Sequence, residues 1–301
     1  MNKAVASGQW AVRVKSLKSL NAEEHGGAQR FTGYDPFMTS PDDILELTPP
    51  RADLRLVYGS DPNQFVDLRL PKIKELAPLA IVIHGGYWRA KYDLGYMGHL
   101  CAALTAKGFA TANVEYRRVG NAGGGWPGTF SDIRSAYQFL SQMSKKALKK
   151  KERRFAFDPA RVVVIGHSAG SQLGICLAAR ESGVKAVISL AGVVDLQRAY
   201  ALHLSNDAVV EFLGGTPAEV PDHYKEADPM MLRVKAKQWM VHGKADDVVP
   251  PQFSSDYVAA KLKMQEDACL AELAGAGHFD VVDPRTVAWK EVERVVVQAA
   301  G

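Results

Sequence analysis

The sequence predicts an α/β fold: a mostly parallel central sheet with helices on both faces and an antiparallel pair of strands leading into it. Three observations carry that prediction. Apolar segments alternate with segments of helical spacing over most of the chain. Several of the apolar segments, such as "PLAIVIH" at 78–84 and "RVVVIG" at 161–166, are apolar throughout, as in strands buried on both faces. The 301 residues, 47% of them hydrophobic, are enough for one large core.

Residues 1–50 show no sustained period and end at "TPPRAD". They read as an N-terminal extension that wraps a domain spanning 51–301. From Met1 to Ala22 there is no acid, while Lys3, Arg13, Lys15 and Lys18 are present. An organelle transit peptide has that composition, but a poorly ordered tail is the commoner case, and the apolar core of a secretory signal is missing. "LRLVYG" and "FVDLRLP", separated by "SDPN", alternate as an edge strand pair does.

The strand "PLAIVIH" follows, then a helix at about 93–107 that stops before Gly108, then the strand "FATANVEY". "FSDIRSAYQFLSQM" (130–143) has helical spacing, with Ser131 and Asp132 as capping candidates. "RVVVIG", "AGSQLGICLAARES" and "KAVISLAG" read as strand, helix and strand. The stretch 195–235 is less regular, suggests short helices and turns, and stands where a cap could be inserted. "KQWMVHG" is a strand, 251–264 a helix, "CLAELAG" a strand and 284–299 a terminal helix.

Composition excludes several functions. A net charge of +4 is too mild to call for nucleic acid. The basic run "KKALKKKERR" at 145–154 lacks interleaved aromatics and reads as a solvated helix end or loop. No run reaches the ~18 apolar residues of a membrane span. Cys101, Cys176 and Cys269 are scattered and odd in number, so they read as free thiols in a reducing, cytoplasmic setting. No zinc spacing is present, and the chemistry below needs no metal or organic cofactor. The partner expected is a small-molecule substrate; a homodimer stays open.

The chemistry centres on Gly166-His167-Ser168-Ala169-Gly170, a G-x-S-x-G set between an apolar strand and a helix. The glycines permit a sharp turn that lifts Ser168 above the sheet, and the helix N-terminus favours developing negative charge. A glycine-rich turn capped by serine is the bland alternative. Gly166, Gly170 and Gly174, with the Tyr257/Lys261 pair, also allow a dinucleotide-binding reading, but such a glycine loop should open the fold and this one follows several strands.

A serine nucleophile needs a base, and the base an orienting acid. Of eight histidines, His278 in "AGAGHF" is the leading candidate, in a glycine-freed loop after the last strand. His167 should face away within the elbow, His242 should end a strand, and His203 and His223 should lie on the surface. "VHGKADDVVP" offers Asp246 as first choice for the acid and Asp247 as second; Asp195 is a distant third, read more readily as a cap.

With "HGGYW" at 84–88 and "GHSAG", the chain resembles the α/β-hydrolase superfamily over about 51–299, and within it the kynurenine formamidase (arylformamidase) group marked by H-G-G-x-W. The related hormone-sensitive-lipase-like esterases usually carry H-G-G-G. "YGSDPNQFVDLRLP", "VEYRR" and "WPGTFSDIRSA" are similar to patterns both groups share, and the family's acid, four residues before the proline of "HGKADDVVP", falls on Asp246. The first 50 residues carry no such resemblance.

The resemblance implies acyl transfer to water, with Ser168 as nucleophile, His278 as base and Asp246 as acid. The oxyanion would be held by the amides of Ala169, Gly86 and Tyr87. Tyr87, Trp88 and Trp126 would bind substrate, narrowing the acyl side and stacking on an aromatic leaving group. Trp88 could equally pack into the core and anchor its loop. Hydrolysis of N-formylkynurenine in tryptophan degradation is the first reading, a carboxylesterase on small acyl groups the second, and a hydrolase fold kept as a binding module the third. Arg89, Lys91, Arg117 and Arg118 are candidates to meet a substrate carboxylate, with Arg117 open to a structural role.

Overall fold

In the computed structural model, which describes residues 41–152 and 155–301, the apolar runs form one eight-stranded sheet. The strands are β1 (Leu54–Val57), β2 (Phe65–Arg69), β3 (Ala77–Ile83), β4 (Ala110–Val114), β5 (Phe157–His167), β6 (Ala186–Leu190), β7 (Lys237–Gly243) and β8 (Ala268–Leu273). Their spatial order is β1-β2-β4-β3-β5-β6-β7-β8. β1 with β2, and β2 with β4, pair antiparallel, and all other pairings are parallel. The sheet is mostly parallel with an antiparallel leading pair, as the runs predicted.

Among the described residues eight α-helices accompany it: α1 (Met97–Ala106), α2 (Gly128–Lys150), α3 (Ala169–Arg180), α4 (Leu196–Ala201), α5 (Ala208–Leu213), α6 (Pro221–Ala227), α7 (Gln252–Lys263) and α8 (Trp289–Ala300). β3 shows why its run is continuous. Leu79, Ile81 and Ile83 join one core with Ile133 and Leu140 of α2 and Leu173 of α3. Ala80 and Val82 join a second core with Met97 and Leu100 of α1 and Val292 and Val296 of α8. Alternate side chains enter opposite cores, so no face is left for polar residues. Each large aliphatic side chain so buried contributes about 1.5–3 kcal/mol.

Element boundaries differ from expectation where side chains capture the backbone. The expected helix at 93–107 begins only at Met97, because the Leu94 carbonyl accepts from Asn113 and its amide donates to Glu115. The terminal helix begins at Trp289 rather than 284, after a turn in which Thr286 bonds to Asp280 and Asp283. α2 starts at Gly128 and continues through Lys150, so the basic run up to that point is helix with exposed lysines. Ser131 and Asp132 are not its caps. Ser131 Oγ donates to the Pro127 carbonyl within the helix, and Asp132 is buried on Arg117 and Gln64.

The expected N-terminal extension lies outside the described residues for 1–40, as do Arg153 and Arg154 of the basic run. From 41 onward the chain does lie against the domain: Ile44 is fully buried, and the Pro50 carbonyl accepts from Arg69. Cys101, Cys176 and Cys269 are free thiols. Among the described residues, no helix is long and apolar enough to cross a membrane.

Candidate active site

The sheet order reverses at β3: the chain passes from β3 to β4 on one side, then returns to place β5 on the other. Loops leaving neighbouring carboxyl ends there diverge and open a crevice. The loop after β3 ("HGGYW") and the turn after β5 (Ser168) meet at that point. Asp246 follows β7 and His278 follows β8, so every candidate catalytic residue stands at the carboxyl edge of the sheet.

Ser168 links β5 to α3 with φ 52° and ψ −121°, a conformation costly for a side-chain-bearing residue. The surroundings hold it there. Its amide donates to the Leu190 carbonyl at 2.9 Å, and its carbonyl accepts from Ser171 and Val193. The turn needs glycines because backbone passes so close: a Cβ on Gly170 would lie 2.3 Å from the Ile83 carbonyl oxygen. A Cβ on Gly85 would lie 2.8 Å from the Cβ of Ser168, so the two loops touch. The Gly85 amide is committed to Tyr96 Oη at 2.7 Å. The amides of Gly86 and Tyr87, expected as oxyanion donors, follow it in the same loop, and that of Ala169, the third expected donor, is in the first turn of α3, where amides have no partner within the helix.

Asp246 is buried and receives four hydrogen bonds. Oδ1 accepts from the amides of Val248 (2.9 Å) and Val249 (2.8 Å). Oδ2 accepts from His278 Nδ1 (2.8 Å) and His242 Nε2 (3.1 Å). Burial alone would raise its pKa, but the bonds from His242 and His278, the charge of His278 and the Val249 amide together hold the carboxyl well below the usual carboxylate range. With Nδ1 of His278 donating to a carboxylate, its Nε2 is left with a lone pair, the tautomer a general base requires. Asp247 is exposed and takes no part in these bonds. Asp195 caps α4, accepting from the Arg198 amide at 2.8 Å.

Two histidines do more than their sequence positions predict. His167 does not face away: its ring lies 4.7 Å from that of His278, and its Nε2 donates to the His278 carbonyl at 3.0 Å. His242 ends β7 as expected, yet is the second imidazole on the acid, with Nδ1 against Ser254 Oγ at 2.7 Å. The signal in the sequence was its spacing of four residues from Asp246 across the turn after a strand. His203 is exposed and pairs with Asp207, and His223 bonds the Leu213 carbonyl. Tyr257 and Lys261 are both fully buried and bond Gln238 and the Leu232 carbonyl, a structural pair.

The aromatic residues divide. Trp88 is 1% exposed, stacked on Phe212 of α5 at 4.5 Å, with its indole N–H on Gln172 Oε1 at 3.1 Å. Its ring is therefore in the core, not facing a substrate. Tyr87 is half-buried, and its hydroxyl donates to the Val248 carbonyl at 3.2 Å, tying the loop after β3 to the acid's loop. Burial, with the Asp246 charge, pushes its hydroxyl up to about 12. Trp126 is half-buried, stacked on Phe130 and edge-on to Phe212.

The stretch 195–235 forms α4, α5 and α6 and is clamped to the loop after β3 through the Trp88–Phe212 stack and a two-pronged Arg89–Glu211 pair. Three of the four cations considered for substrate recognition are thus already engaged: Arg89 with Glu211, Arg117 with Asp132 and Arg118 with Glu115. Lys91 is exposed and lies over the Tyr92 ring. Among the described residues, no group of three or more His, Cys, Asp or Glu is placed to hold a metal ion.

Known proteins are similar to this chain to different degrees. A truncated carbohydrate esterase from gut microbiota superposes with a TM-score of 0.67 at 23% identity, covering 82% of this chain and 95% of that one. A probable isoprenylcysteine alpha-carbonyl methylesterase of Arabidopsis thaliana is 25% identical over 252 residues, 75% of this chain and 57% of the relative. The chain thus spans little more than half the length of that relative. The kynurenine formamidase of Drosophila melanogaster is 24% identical over 250 residues, 79% of this chain and 78% of that protein. The BD-FAE family model matches residues 66–262, from β2 to the end of α7 and across the Ser168 turn and Asp246. With that match over the greater part of the sheet, the chain belongs to the BD-FAE family and has the α/β-hydrolase fold.

Proposed function

We propose that the protein is a serine hydrolase that cleaves small carboxylic esters. The observation that carries this reading is the bonding of Asp246: it orders the His278 ring so that a bare Nε2 is available in the loop packed against the residue preceding Ser168. His278 takes the Ser168 proton as Oγ attacks the ester carbonyl. The amides of Gly86, Tyr87 and Ala169 receive the negative charge on the carbonyl oxygen, each worth about 3 kcal/mol or more in the transition state. His278 then gives its proton to the departing alkoxide. Water repeats the sequence on the acyl-serine and releases the acid.

Ser168 and His278 are only 2% and 5% exposed, which favours a short acyl group over a bulky one. The carbohydrate esterase and methylesterase relatives support ester over amide. The test is hydrolysis of 4-nitrophenyl acetate by the wild type and by Ser168→Ala. Turnover lost in the variant with an unchanged thermal midpoint supports the assignment, and retained turnover removes it.

A second reading, N-formylkynurenine hydrolysis, is favoured by H-G-G-Y-W and by the match over most of both chains to the fly formamidase. Against it, the cations that could meet an amino-acid substrate's carboxylate are paired inside the protein, Lys91 excepted. A kcat/KM for N-formylkynurenine above that for 4-nitrophenyl acetate would reverse the order.

A further inference from the structure

Three loops far apart in sequence must hold their places for the proposed reaction: the oxyanion loop at Gly85–Tyr87, the Ser168 turn and the His278 loop. They are joined by hydrogen bonds through two groups that need not touch substrate. The Gly85 amide donates to Tyr96 Oη at 2.7 Å. Tyr96 Oη lies 2.8 Å from His167 Nδ1, and His167 Nε2 lies 3.0 Å from the His278 carbonyl oxygen. All of this is buried: Tyr96 is 7% and His167 1% exposed.

The proton order along this chain is determined. A carbonyl oxygen only accepts, so His167 Nε2 must carry the hydrogen toward His278. His167 is neutral, because burial and the neighbouring His278 push its pKa well below the ordinary histidine value. Its Nδ1 is then bare and accepts from the Tyr96 hydroxyl, whose lone pair in turn receives the Gly85 N–H. Burial raises the Tyr96 hydroxyl pKa, so the phenol keeps that proton. Every donor in the line points the same way, from the start of the oxyanion loop to the loop that carries the base.

We propose that Tyr96 and His167 are positioning residues that act as one unit, setting the separation of the oxyanion loop from the general base through this one-directional line of hydrogen bonds. By binding the Gly85 amide, Tyr96 fixes where the next two amides point. By binding the carbonyl of His278, His167 fixes the backbone from which the base projects. The neighbouring Phe279 ring packs edge-on to Tyr96 and beside His167. The proposal rests on the ester-hydrolase reading for its kinetic consequence, though not for its proton order.

The experiment compares Tyr96→Phe, His167→Leu and His167→Gln with the wild type on 4-nitrophenyl acetate, and reads ring-nitrogen NMR of ¹⁵N-histidine-labelled protein. Tyr96→Phe deletes one oxygen and keeps the ring, so the fold should persist. Its kcat should fall about 10- to 100-fold with KM nearly constant, since small misplacements of reacting groups cost that much. His167→Leu should do the same, and His167→Gln, whose amide can still donate toward His278, should recover part of the loss. The spectra should show His167 with bare Nδ1 and protonated Nε2 between about pH 6 and 9, and Tyr96→Phe should lose that single tautomer. A kcat within twofold of wild type in Tyr96→Phe, a change in KM alone, or a wild-type His167 protonated at Nδ1 would overturn the proposal. Absence of turnover in the wild type, together with failure of a fluorophosphonate to label Ser168, would count against the ester-hydrolase reading instead, and the nitrogen spectra would still decide the proton order.

Discussion

Asp246→Asn exchanges one acceptor oxygen for an N–H₂ group at a carboxylate that receives four hydrogen bonds. The Val248 and Val249 amides both donate to Oδ1, so they select the amide oxygen of the new side chain for that position. The NH₂ then falls where His278 and His242 both donate to Oδ2. Donor meets donor, and the His278 ring resolves the clash by moving its hydrogen to Nε2 and accepting at Nδ1. In that tautomer the ring cannot take a proton from Ser168. The expected loss in kcat is about 10⁴-fold, the size seen when the acid of a serine triad is so replaced, or about 5.4 kcal/mol. kcat and kcat/KM should fall together on 4-nitrophenyl acetate, since the interaction is realised in the transition state. Asp247→Asn, at an exposed position, should change kcat less than about twofold.

Stability gives a second readout of the same substitution. The folded-state pKa of Asp246 is depressed, so its stabilisation is present above the unfolded carboxylate pKa of about 3.9 and is lost as pH falls through and below it. The wild-type thermal midpoint should therefore drop more steeply on acidification below about pH 4 than that of Asp246→Asn. Retention of more than about a tenth of kcat by Asp246→Asn, or the large loss appearing in Asp247→Asn instead, would refute this reasoning.

Gly85→Ala puts a methyl group 2.8 Å from the Ser168 Cβ and 2.9 Å from the His167 carbonyl, so ester turnover should be nearly abolished; near-normal kcat would mean the two loops are not in contact. Trp88→Ala removes a core ring and should cost about 3–5 kcal/mol in urea denaturation, whereas a loss below about 1 kcal/mol would place the ring outside the core. His242→Phe takes one of two donors from Asp246 Oδ2, leaving more of its charge to stabilise the His278 imidazolium. Losing that donor should bring the depressed Asp246 pKa back toward its ordinary value, so the thermal midpoint should fall less steeply below about pH 4 than in the wild type, and an unchanged slope would contradict the shared-acceptor arrangement.

The parts of the fold legible in the sequence are those set by local pattern. β3 and the 162–167 part of β5 are buried on both faces, and that condition is written in consecutive residues. The Ser168 turn is legible because its glycines, apolar strand and helix lie within a few positions. Asp246 and His278 stand after successive strands and share a hydrogen bond, and the turn after β7 aims Asp246 inward and leaves Asp247 in solvent, a difference that two adjacent aspartates do not show in sequence. What could not be read depends on partners distant in sequence. Asp132 has the look of a helix cap, but Arg117 draws it into a buried pair. His167 is adjacent to Ser168, yet its orientation is decided by Tyr96 and by the His278 backbone. The side of the loop on which Trp88 packs is decided by Phe212, in a part of the chain with no regular pattern.

The order of residues in "HGGYW" follows from backbone conformation more than from substrate. Gly86, Tyr87 and Trp88 have φ of 101°, 51° and 58°, three left-handed residues in succession. Such a run takes the chain sharply out of the extended conformation of β3. For Tyr87 and Trp88 it costs roughly 1–2 kcal/mol each. Glycines throughout would remove that strain, but would leave the loop free to take many other conformations. The two aromatic side chains offset the strain and remove the freedom together. Trp88 reaches the core on Phe212 and Gln172, Tyr87 reaches the acid's loop at Val248, and the Trp88 carbonyl accepts from the Val119 amide at 2.8 Å. Gly85 is small because Ser168 lies against it, and the next two side chains are large because their backbone is held in a conformation it would otherwise leave.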